Sequence, residues 1–261
     1  RENFTQKYHK RGRDRKVRPR MDRAMIIIPA RLASTRFSNK ILKEINGVPM
    51  FVATALRVSG VDDVAVAVDE PSVLDIAKAH GIKAVLTSKD HQSGTDRINE
   101  AAQILGLSES EIIINVQADE PFIEPENIAK FRAFCEQNRQ NAFMFSCYKK
   151  MDDEFADDKN LVKVVTDFEG YALYFSRSRI PFNRSECKSY KAHLGIYGYS
   201  VKSLKEFCAL ATSSLENTEK LEQLRALENG KKIAMLEVES QSIGIDSEED
   251  YQRALAKFGK K

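Results

Sequence analysis

The first half of the chain alternates between short, wholly apolar runs and longer segments in which apolar residues recur at helical spacing. The apolar runs are rich in β-branched residues, which is typical of strands buried on both faces of a parallel sheet. The strand–helix–strand order predicts parallel strands joined by right-handed crossovers. We predict strands at residues 25–28, 64–68, 83–87 and 111–116, and helices at residues 49–59, 71–80 and 95–105.

The second half of the chain contains more local pairing. A turn at residues 167–170 separates two strand-like runs, 161–165 and 171–175, which predicts an antiparallel hairpin. The remaining predicted elements are helices at residues 125–138, 216–228 and 247–257, strands at residues 143–147, 193–199 and 233–238, and a polar loop at residues 183–191. The prediction is an α/β protein with a Rossmann-like, mostly parallel sheet, flanking helices and a smaller antiparallel β-rich portion at about residues 140–200.

The composition is that of a globular protein, since 42% of the 261 residues are hydrophobic and 30% are charged. The charge is uneven: residues 1–24 hold ten Lys and Arg against three acids, a net charge of +7. Because the whole chain carries +3, residues 25–261 carry −4. We predict that this basic arm is a disordered leader or tag, and that residues 25–261 form a single domain. A nucleic-acid-binding tail is the alternative, but the rest of the chain does not share the charge, and we expect no nucleic-acid partner.

No apolar run reaches the roughly 20 residues that a transmembrane helix needs, and the chain shows no signal-peptide pattern. Four cysteines occur without CxxC or metal-ligand spacing. They indicate free thiols in a reducing compartment, and we expect a cytoplasmic protein. These cysteines are Cys135, Cys147, Cys187 and Cys208.

A glutamine and two acids follow the fourth predicted strand. Gln117, Asp119 and Glu120 follow this strand, and Pro121 prevents the strand from continuing. Ligands of open α/β sheets bind beyond the carboxyl ends of strands. An acid there costs free energy to desolvate unless a cation or hydrogen-bond donors meet it. Asp119 is therefore a candidate ligand for a divalent metal that carries a nucleotide phosphate; capping the next turn is the alternative.

The loop after the first strand carries three cations, Arg31, Arg36 and Lys40. It contains no glycine, which excludes a Walker loop and a GxGxxG fingerprint. Arginine offers a planar fork to phosphate oxygens and lysine offers a point charge. The loop is a candidate phosphate site, with an ordinary solvated basic loop as the alternative.

Residues 91–97 combine hydroxyl side chains with Gly94, which permits close approach of a ligand to the backbone. Thr95 is predicted to cap the following helix. The pattern alone favours a structural or solvent-facing imidazole for His91 and an exposed helix cation for Arg97.

One face of the predicted strand 193–199 is polar and aromatic, because side chains alternate with period two. This face suits a hydroxyl-rich ligand, or it is covered by another subunit or a helix. By pattern alone, Glu222 and Gln223 are solvated residues on the flanks of helix 216–228. The residues of the polar face are His193, Gly195, Tyr197 and Tyr199.

The start of the last predicted helix offers two capping schemes. Asp246 with Glu249 fits a capping box. Ser247 with Asp250 could do the same and leave the Asp246 carboxylate for another role. The pattern alone does not choose between them.

From Met25 to about Phe258 the chain resembles the CMP-Kdo synthetases, the 3-deoxy-manno-octulosonate cytidylyltransferases. Several ungapped segments in one order are more specific than any single motif. The matching segments are IIPARLASTR (27–36), HQSGTDR (91–97), NVQADEP (115–121), LVKVV (161–165), EGYALYFSRSRIP (169–181), HLGIYGY (193–199), LEQLR (221–225) and the GID before the last helix.

The resemblance implies the reaction of CTP with Kdo to give CMP-Kdo and pyrophosphate, which activates the sugar for lipopolysaccharide biosynthesis. It implies that Arg31 and Lys40 hold the triphosphate and that Asp119 and Asp246 hold Mg²⁺, so that these four residues are catalytic. It also implies a homodimer formed through the β-rich portion. The implied residues on the cytidine side are Ala30, Ser93, Gly94 and Arg97, and those that contact the sugar acid are Gln117, Arg177, His193, Tyr197, Glu222 and Gln223.

Two positions depart from the family pattern. Phe37-Ser38-Asn39 replaces the usual Leu-Pro-x before Lys40, which puts the rigid placement of Lys40 in doubt. Ala118 stands where glycine is common and restricts the backbone beside Asp119. A cytidylyltransferase for another acidic sugar, such as an amino-Kdo or a sialic or pseudaminic acid, is the alternative function.

Overall fold

The computed structural model describes residues 24–33, 37–185 and 189–259. The prediction for the basic arm, residues 1–24, falls outside this part of the chain except for its last residue, as does Cys187. The described strands are β1 (Ala24–Ala30), β2 (Glu44–Ile45), β3 (Val48–Pro49), β4 (Asp63–Val68), β5 (Ala84–Leu86), β6 (Ile112–Asn115), β7 (Met144–Asp152), β8 (Lys163–Thr166), β9 (Ala172–Ser176), β10 (Ser189–Ser200) and β11 (Ile233–Glu237). The described α-helices are α1 (Met50–Val58), α2 (Pro71–Ala79), α3 (Gly94–Ile104), α4 (Pro125–Asn138), α5 (Val201–Ala209), α6 (Ser214–Glu219), α7 (Leu224–Glu228) and α8 (Glu248–Phe258).

A mixed sheet organises the described chain, with the strand order β11-β7-β10-β6-β1-β4-β5. Neighbouring strands are parallel except for β10, which runs antiparallel to both β7 and β6. The hairpin of β8 and β9 is antiparallel, as predicted, and joins the sheet through β10. The short strands β2 and β3 form a separate antiparallel pair. The predicted α/β class with a mostly parallel sheet is confirmed.

Helices cover both faces of the sheet, and β1 shows why its sequence is uninterruptedly apolar. Ile26 and Ile28 pack into the core with α1 and α4 on one face. Ile27, between them, packs into the core with α3 and α5 on the other face. All three side chains are fully buried. A strand that lies between two helical layers needs an apolar residue at every position.

Several predicted boundaries are wrong; the strand predicted at residues 143–147, for example, continues to Asp152. Pro29 was predicted to end the first strand, but β1 continues to Ala30. Pairing of β1 with β6 stops at Ile27, so proline lies where the strand has a neighbour on one side only and can be tolerated. The polar loop was predicted to run to residue 191, whereas β10 already begins at Ser189 and pairs there with Asp152.

No helix in the described ranges is long and apolar enough to cross a bilayer. The described cysteines, Cys135, Cys147 and Cys208, are free thiols. Burial raises the pKa of the Cys135 and Cys147 thiols, which keeps them protonated and unreactive.

Close packing of α4 against β10 depends on Gly198. A Cβ at this position would lie 2.6 Å from Cys135 Sγ and 3.3 Å from the Phe131 ring. We predict that Gly198→Ala lowers the free energy of unfolding by about 1–3 kcal/mol through overpacking. Gly60→Ala is the matched control, because no atom lies within 4 Å of its added Cβ. Chemical denaturation measures both; equal stabilities of the two variants would contradict the packing argument.

Candidate functional site

A cavity of about 300 Å³ opens at the carboxyl ends of the parallel strands β1 and β6, the edge at which α/β sheets bind ligands. Loops after β1 and β6, the start of α3 and the segment before α8 form its walls. The predicted site residues that line it are Arg31, Lys40, Ser93, Gly94, Arg97, Gln117, Asp119 and Asp246. Ala30 is buried immediately before Arg31 at the end of β1. Residues from near both ends of the described chain therefore meet in one cavity.

The ammonium group of Lys40 joins the two acids. Its Nζ donates to Asp119 Oδ2 at 2.6 Å and to Asp246 Oδ1 at 2.8 Å. Burial opposes the charged form of Lys40, but the two carboxylates outweigh that effect and raise its pKa. The Lys40 side chain is 14% exposed, whereas the Asp246 side chain is 50% exposed and lines the cavity. The two acids thus converge on one point that holds a positive charge.

A turn packed against the last helix fixes the position of Lys40. Asn39 adopts the left-handed conformation, with φ of 51°, at the start of the 3₁₀ turn Lys40–Leu42. Phe37 is buried, its ring centroid lies 5.9 Å from that of Tyr251 in α8, and its carbonyl accepts from Lys40 N. Burial of Phe37 and the asparagine turn therefore hold Lys40 in place without the proline that the family usually has.

Two hydrogen bonds support the Asp119 loop. Thr54 in α1 donates through Oγ1 to the Ala118 carbonyl at 2.9 Å. The Ile245 amide donates to the Asp119 carbonyl at 3.0 Å, which brings the neighbouring Asp246 to the same cavity. Ala118 is buried and has no left-handed backbone, so alanine is accommodated where glycine is common.

The capping scheme of α8 is that of Ser247. Its Oγ accepts from the Asp250 amide in a capping box. The alternative of Asp246 with Glu249 is wrong, and the carboxylate of Asp246 binds Lys40 instead.

The start of α3 differs from its prediction. Ser93, not Thr95, is the N-cap, and its Oγ accepts from the Asp96 amide. A Cβ on Gly94 would lie 3.2 Å from Pro29 Cγ, so glycine allows α3 to begin beside the end of β1. Backbone N–H groups at a helix N-terminus favour anions, and this one lines the cavity.

Arg97 is buried, and the prediction of an exposed helix cation is wrong. Its Nη1 donates to Thr87 Oγ1 at 2.7 Å, and its Nη2 lies 3.4 Å from Asp69 Oδ2. The other oxygen of Asp69 accepts from the Leu32 amide at 3.0 Å. Arg97 and Asp69 therefore hold the loop that carries Arg31. His91 lines the cavity and pairs with Glu100 through Nε2 at 2.5 Å, which agrees with a structural imidazole.

Glu222 and Gln223, two of the predicted sugar-contacting residues, form a second group beside the first turn of α3. The predicted single helix 216–228 is broken at Lys220, which has φ of 54°, so residues 221–223 turn inward. Thr95 Oγ1 donates to Glu222 Oε2 at 2.5 Å, and Gln223 is only 2% exposed. The prediction from pattern that both residues are solvated is wrong for Gln223, whereas the Glu222 side chain is 28% exposed and has one oxygen bound to Thr95.

Two polar atoms of this group lack hydrogen bonds. Glu222 Oε1 and Gln223 Nε2 are buried and have no hydrogen-bond partner among the described residues; Arg225 Nη2 lies 3.9 Å from Glu222 Oε1, too far to donate. Tyr197 donates through its hydroxyl to Gln223 Oε1 at 3.1 Å. Buried polar atoms are nearly always hydrogen-bonded, so these two atoms on adjacent residues, although neither residue lines the cavity, are candidates for hydrogen bonds to a hydroxyl-bearing ligand.

The other members of the predicted sugar-contacting set lie on β10 or just after β6 and β9. His193 Nε2 is 2.8 Å from Ser146 Oγ, and its ring packs edge-on against Phe175. Gln117 lines the cavity and lies beside Gly195. Arg177 is outside the cavity lining, and its guanidinium donates to the carbonyls of Glu219 and Lys159. The roles assigned to these residues by resemblance stay predictions.

The sequence reasoning missed several supporting residues. Asp69 ends β4 at the same sheet edge as Asp119 and could have been found by that rule. Thr54 is a buried hydroxyl-bearing residue in a mostly apolar helix, which signals a specific bond but not its partner. Glu120 was noted as an acid without a role; its carboxylate accepts from Ser242 at 2.6 Å. Burial raises the pKa of Glu120 to about 7, against the effect of the Ser242 hydrogen bond.

A divalent metal fits this donor set. Among the described residues no group of three or more His, Cys, Asp or Glu could hold a metal ion by itself. Mg²⁺, however, is usually held by one or two carboxylates together with substrate phosphates. Asp119 and Asp246 supply two hard oxygen donors that already meet at a cation.

Comparisons with known proteins agree on one family. A family model described as cytidylyltransferase matches residues 25–233. The 3-deoxy-manno-octulosonate cytidylyltransferase of a Nitratiruptor species is 56% identical over 236 residues, which cover 90% of this chain and 99% of the relative. Those of Wolinella succinogenes and Helicobacter pylori are 55% and 51% identical and cover 90% of this chain and 99% and 97% of the relatives.

Solved structures give the same picture. A CMP:2-keto-3-deoxy-manno-octonic acid synthetase complexed with CTP superposes with a TM-score of 0.83 at 36% identity, covering 90% of this chain and 97% of that one. A cytidylyltransferase from Leptospira borgpetersenii superposes with a TM-score of 0.57 at 14% identity, covering 91% and 88%. The second likeness is one of fold alone.

The buried position of His193 predicts a pH dependence of stability. Burial lowers its pKa from 6.5 to about 3. Below pH 6.5 the unfolded chain therefore binds a proton that the folded chain does not, and stability falls as pH falls toward 3. We expect wild type to lose about 1 kcal/mol per pH unit more than His193→Gln between pH 6 and pH 4. Urea denaturation at each pH measures this difference, and parallel stability curves would contradict a neutral, buried imidazole.

Proposed function

The chain belongs to the cytidylyltransferase family, and from that premise we propose that it transfers CMP from CTP to Kdo, releasing pyrophosphate. The observation that carries the proposal is the meeting of Asp119 and Asp246 at Lys40 in a cavity that also holds Arg31. The relatives that this chain matches over almost their full length are named for this activity. The product would be the activated sugar donor for lipopolysaccharide biosynthesis.

Asp119 and Asp246 would hold Mg²⁺, with triphosphate oxygens completing its coordination. When bound, the metal would neutralise phosphate charge and lower the pKa of the attacking hydroxyl. Lys40 lies between both acids and would turn toward the triphosphate once another cation takes that place. The Arg31 side chain lines the same cavity and offers a forked donor to phosphate oxygens.

The cytidine side would be framed by the start of α3. Ser93 and Gly94 present a helix N-terminus to the cavity and Ala30 ends the adjacent strand. Arg97 would act mainly through the framework, because its guanidinium is bound to Thr87 and Asp69.

The sugar acid would lie beside the broken helix. Glu222 Oε1 and Gln223 Nε2 would pair with sugar hydroxyls, which would satisfy the two orphaned atoms. Gln117, His193 and Tyr197 would form the adjoining wall. The Arg177 guanidinium has five N–H groups, of which two donate to carbonyls; the others would bind the sugar carboxylate.

The chain's residues would act by position and charge. The anomeric hydroxyl of the sugar would attack the α-phosphorus, and pyrophosphate would leave in line, with no covalent enzyme intermediate. Fixed cations that meet the developing charge cost no reorganisation during the reaction.

We predict that Asp119→Asn and Asp246→Asn each lower pyrophosphate release from CTP and Kdo by at least about 100-fold, because a catalytic metal is worth several kcal/mol. Asp75→Asn is the matched control, since Asp75 lies exposed on α2. A pyrophosphate-coupled assay with Mg²⁺ measures all three. Full activity of either site variant would sink the metal assignment, and preference for a sialic, pseudaminic or amino-Kdo acid in a substrate panel would replace Kdo.

We also propose a homodimer formed through the antiparallel portion. Large apolar side chains stand exposed there, with Leu173 60% and Phe182 82% exposed, as is typical of a surface that another chain covers. Sedimentation velocity would show a particle of twice the 29.6 kDa chain mass; a monomer at micromolar concentration would contradict it. The free thiols support a cytoplasmic location, and we assign residues 1–24 no part in catalysis.

A further inference from the structure

The segment that carries Asp246 lies on the segment that carries Asp119. The Ile245 amide donates to the Asp119 carbonyl, and Ser242 Oγ donates to Glu120 Oε2 at 2.6 Å. The first contact joins the two backbones beside the acids. The second joins the two segments through the side chains of Ser242 and Glu120.

Gly244 lies between these two contacts. A Cβ on Gly244 would be 2.9 Å from Glu120 Oε1. The backbone of the second segment therefore passes directly over the Glu120 carboxyl group, at a distance that only glycine permits without a shift of that group. Glu120, Ser242 and Gly244 form what we call the carboxylate junction.

The contact between Ser242 and Glu120 matters for a geometric reason. One backbone hydrogen bond fixes the distance between two segments but leaves them able to pivot about it. Ser240 and Gln241 donate to Glu124 and anchor the start of the second segment. The Ser242–Glu120 bond lies nearer to Asp246 and fixes the direction in which Asp246 faces Asp119. Groups that orient metal ligands contribute measurably to metal affinity, and their loss costs about 10–100-fold.

We propose that Glu120 is a positioning residue that, through Ser242 and Gly244, sets the direction in which the Asp246 carboxylate faces that of Asp119. The inference rests on the proposed function, because it assigns the two acids to the metal. Glu120 itself touches Ser242 and the Gly244 backbone, and it acts on the reaction only through the two acids.

The experiment measures binding of Mn²⁺ in the presence of CTP by electron paramagnetic resonance, together with activity and the thermal midpoint. Glu120→Ala and Ser242→Ala should weaken Mn²⁺ affinity by about 10-fold or more. Gly244→Ala should act in the same direction, because its methyl group displaces the Glu120 carboxyl group. Glu120→Gln keeps an acceptor for Ser242 and should stay within about 3-fold of wild type. Glu126→Ala, exposed in the first turn of α4, is the matched control.

The variants separate positioning from other roles. Loss of affinity in Glu120→Gln as large as in Glu120→Ala would overturn the proposal, since the charge and not the hydrogen bond would then matter. A lowered thermal midpoint with unchanged Mn²⁺ affinity would also overturn it, because the junction would be merely structural.

Asp119→Asn separates this inference from the proposed function. If wild type and Asp119→Asn bind Mn²⁺ with CTP equally, the metal site is wrong and the positioning role falls with it. If binding depends on Asp119 but not on Glu120 or Ser242, the positioning role alone is overturned. If binding depends on all three while no sugar acid is turned over, the sugar assignment fails and the junction stands.

Discussion

Two carboxylates that share a partly buried cavity both stay ionised only if a cation lies with them, because their mutual repulsion and the cost of desolvation add and otherwise favour a proton on one of them. In this protein Lys40 supplies that charge, bound to both Asp119 and Asp246. The same arrangement is useful to an enzyme that binds a metal–triphosphate complex. A site built around an internal counter-ion is held ready, and Lys40 becomes available to phosphate when another cation takes its place. The metal and the nucleotide would then bind together more favourably than either alone.

The fold brings Lys40, Asp119 and Asp246 together. Parallel strands β1 and β6 end at one edge, so the loops that carry Lys40 and Asp119 meet there by topology. Asp246 comes from much later in the chain and owes its position to the segment between β11 and α8. That segment is attached near Asp246 by the Ile245 amide and by Ser242, and at its start by Ser240 and Gln241, which donate to Glu124. The position of Asp246 therefore depends on local contacts more than the positions of Lys40 and Asp119 do.

The sequence predicted most of the fold, since apolar strands and amphipathic helices have periods that can be counted. Helix α4 was predicted residue for residue, because Pro125 marks its start and its apolar face is regular. The break at Lys220 was missed, because a non-glycine residue in the left-handed region has no reliable sequence signal. The burial of Arg97 was missed because its partner Asp69 follows a distant strand, and the local sequence pattern does not predict long-range pairs. The roles assigned to the site residues rest on the resemblance and on geometry together.

The convergence of the two acids on one metal is the central claim, and crystals soaked with Mn²⁺ and a non-hydrolysable CTP analogue test it most directly. An anomalous peak should lie between Asp119 and Asp246, at a coordination distance of about 2 Å from an oxygen of each. The Lys40 ammonium should have left at least one carboxylate for a phosphate oxygen. A peak bound by neither acid, or phosphates seated away from Arg31 with Lys40 still between the acids, would contradict the account.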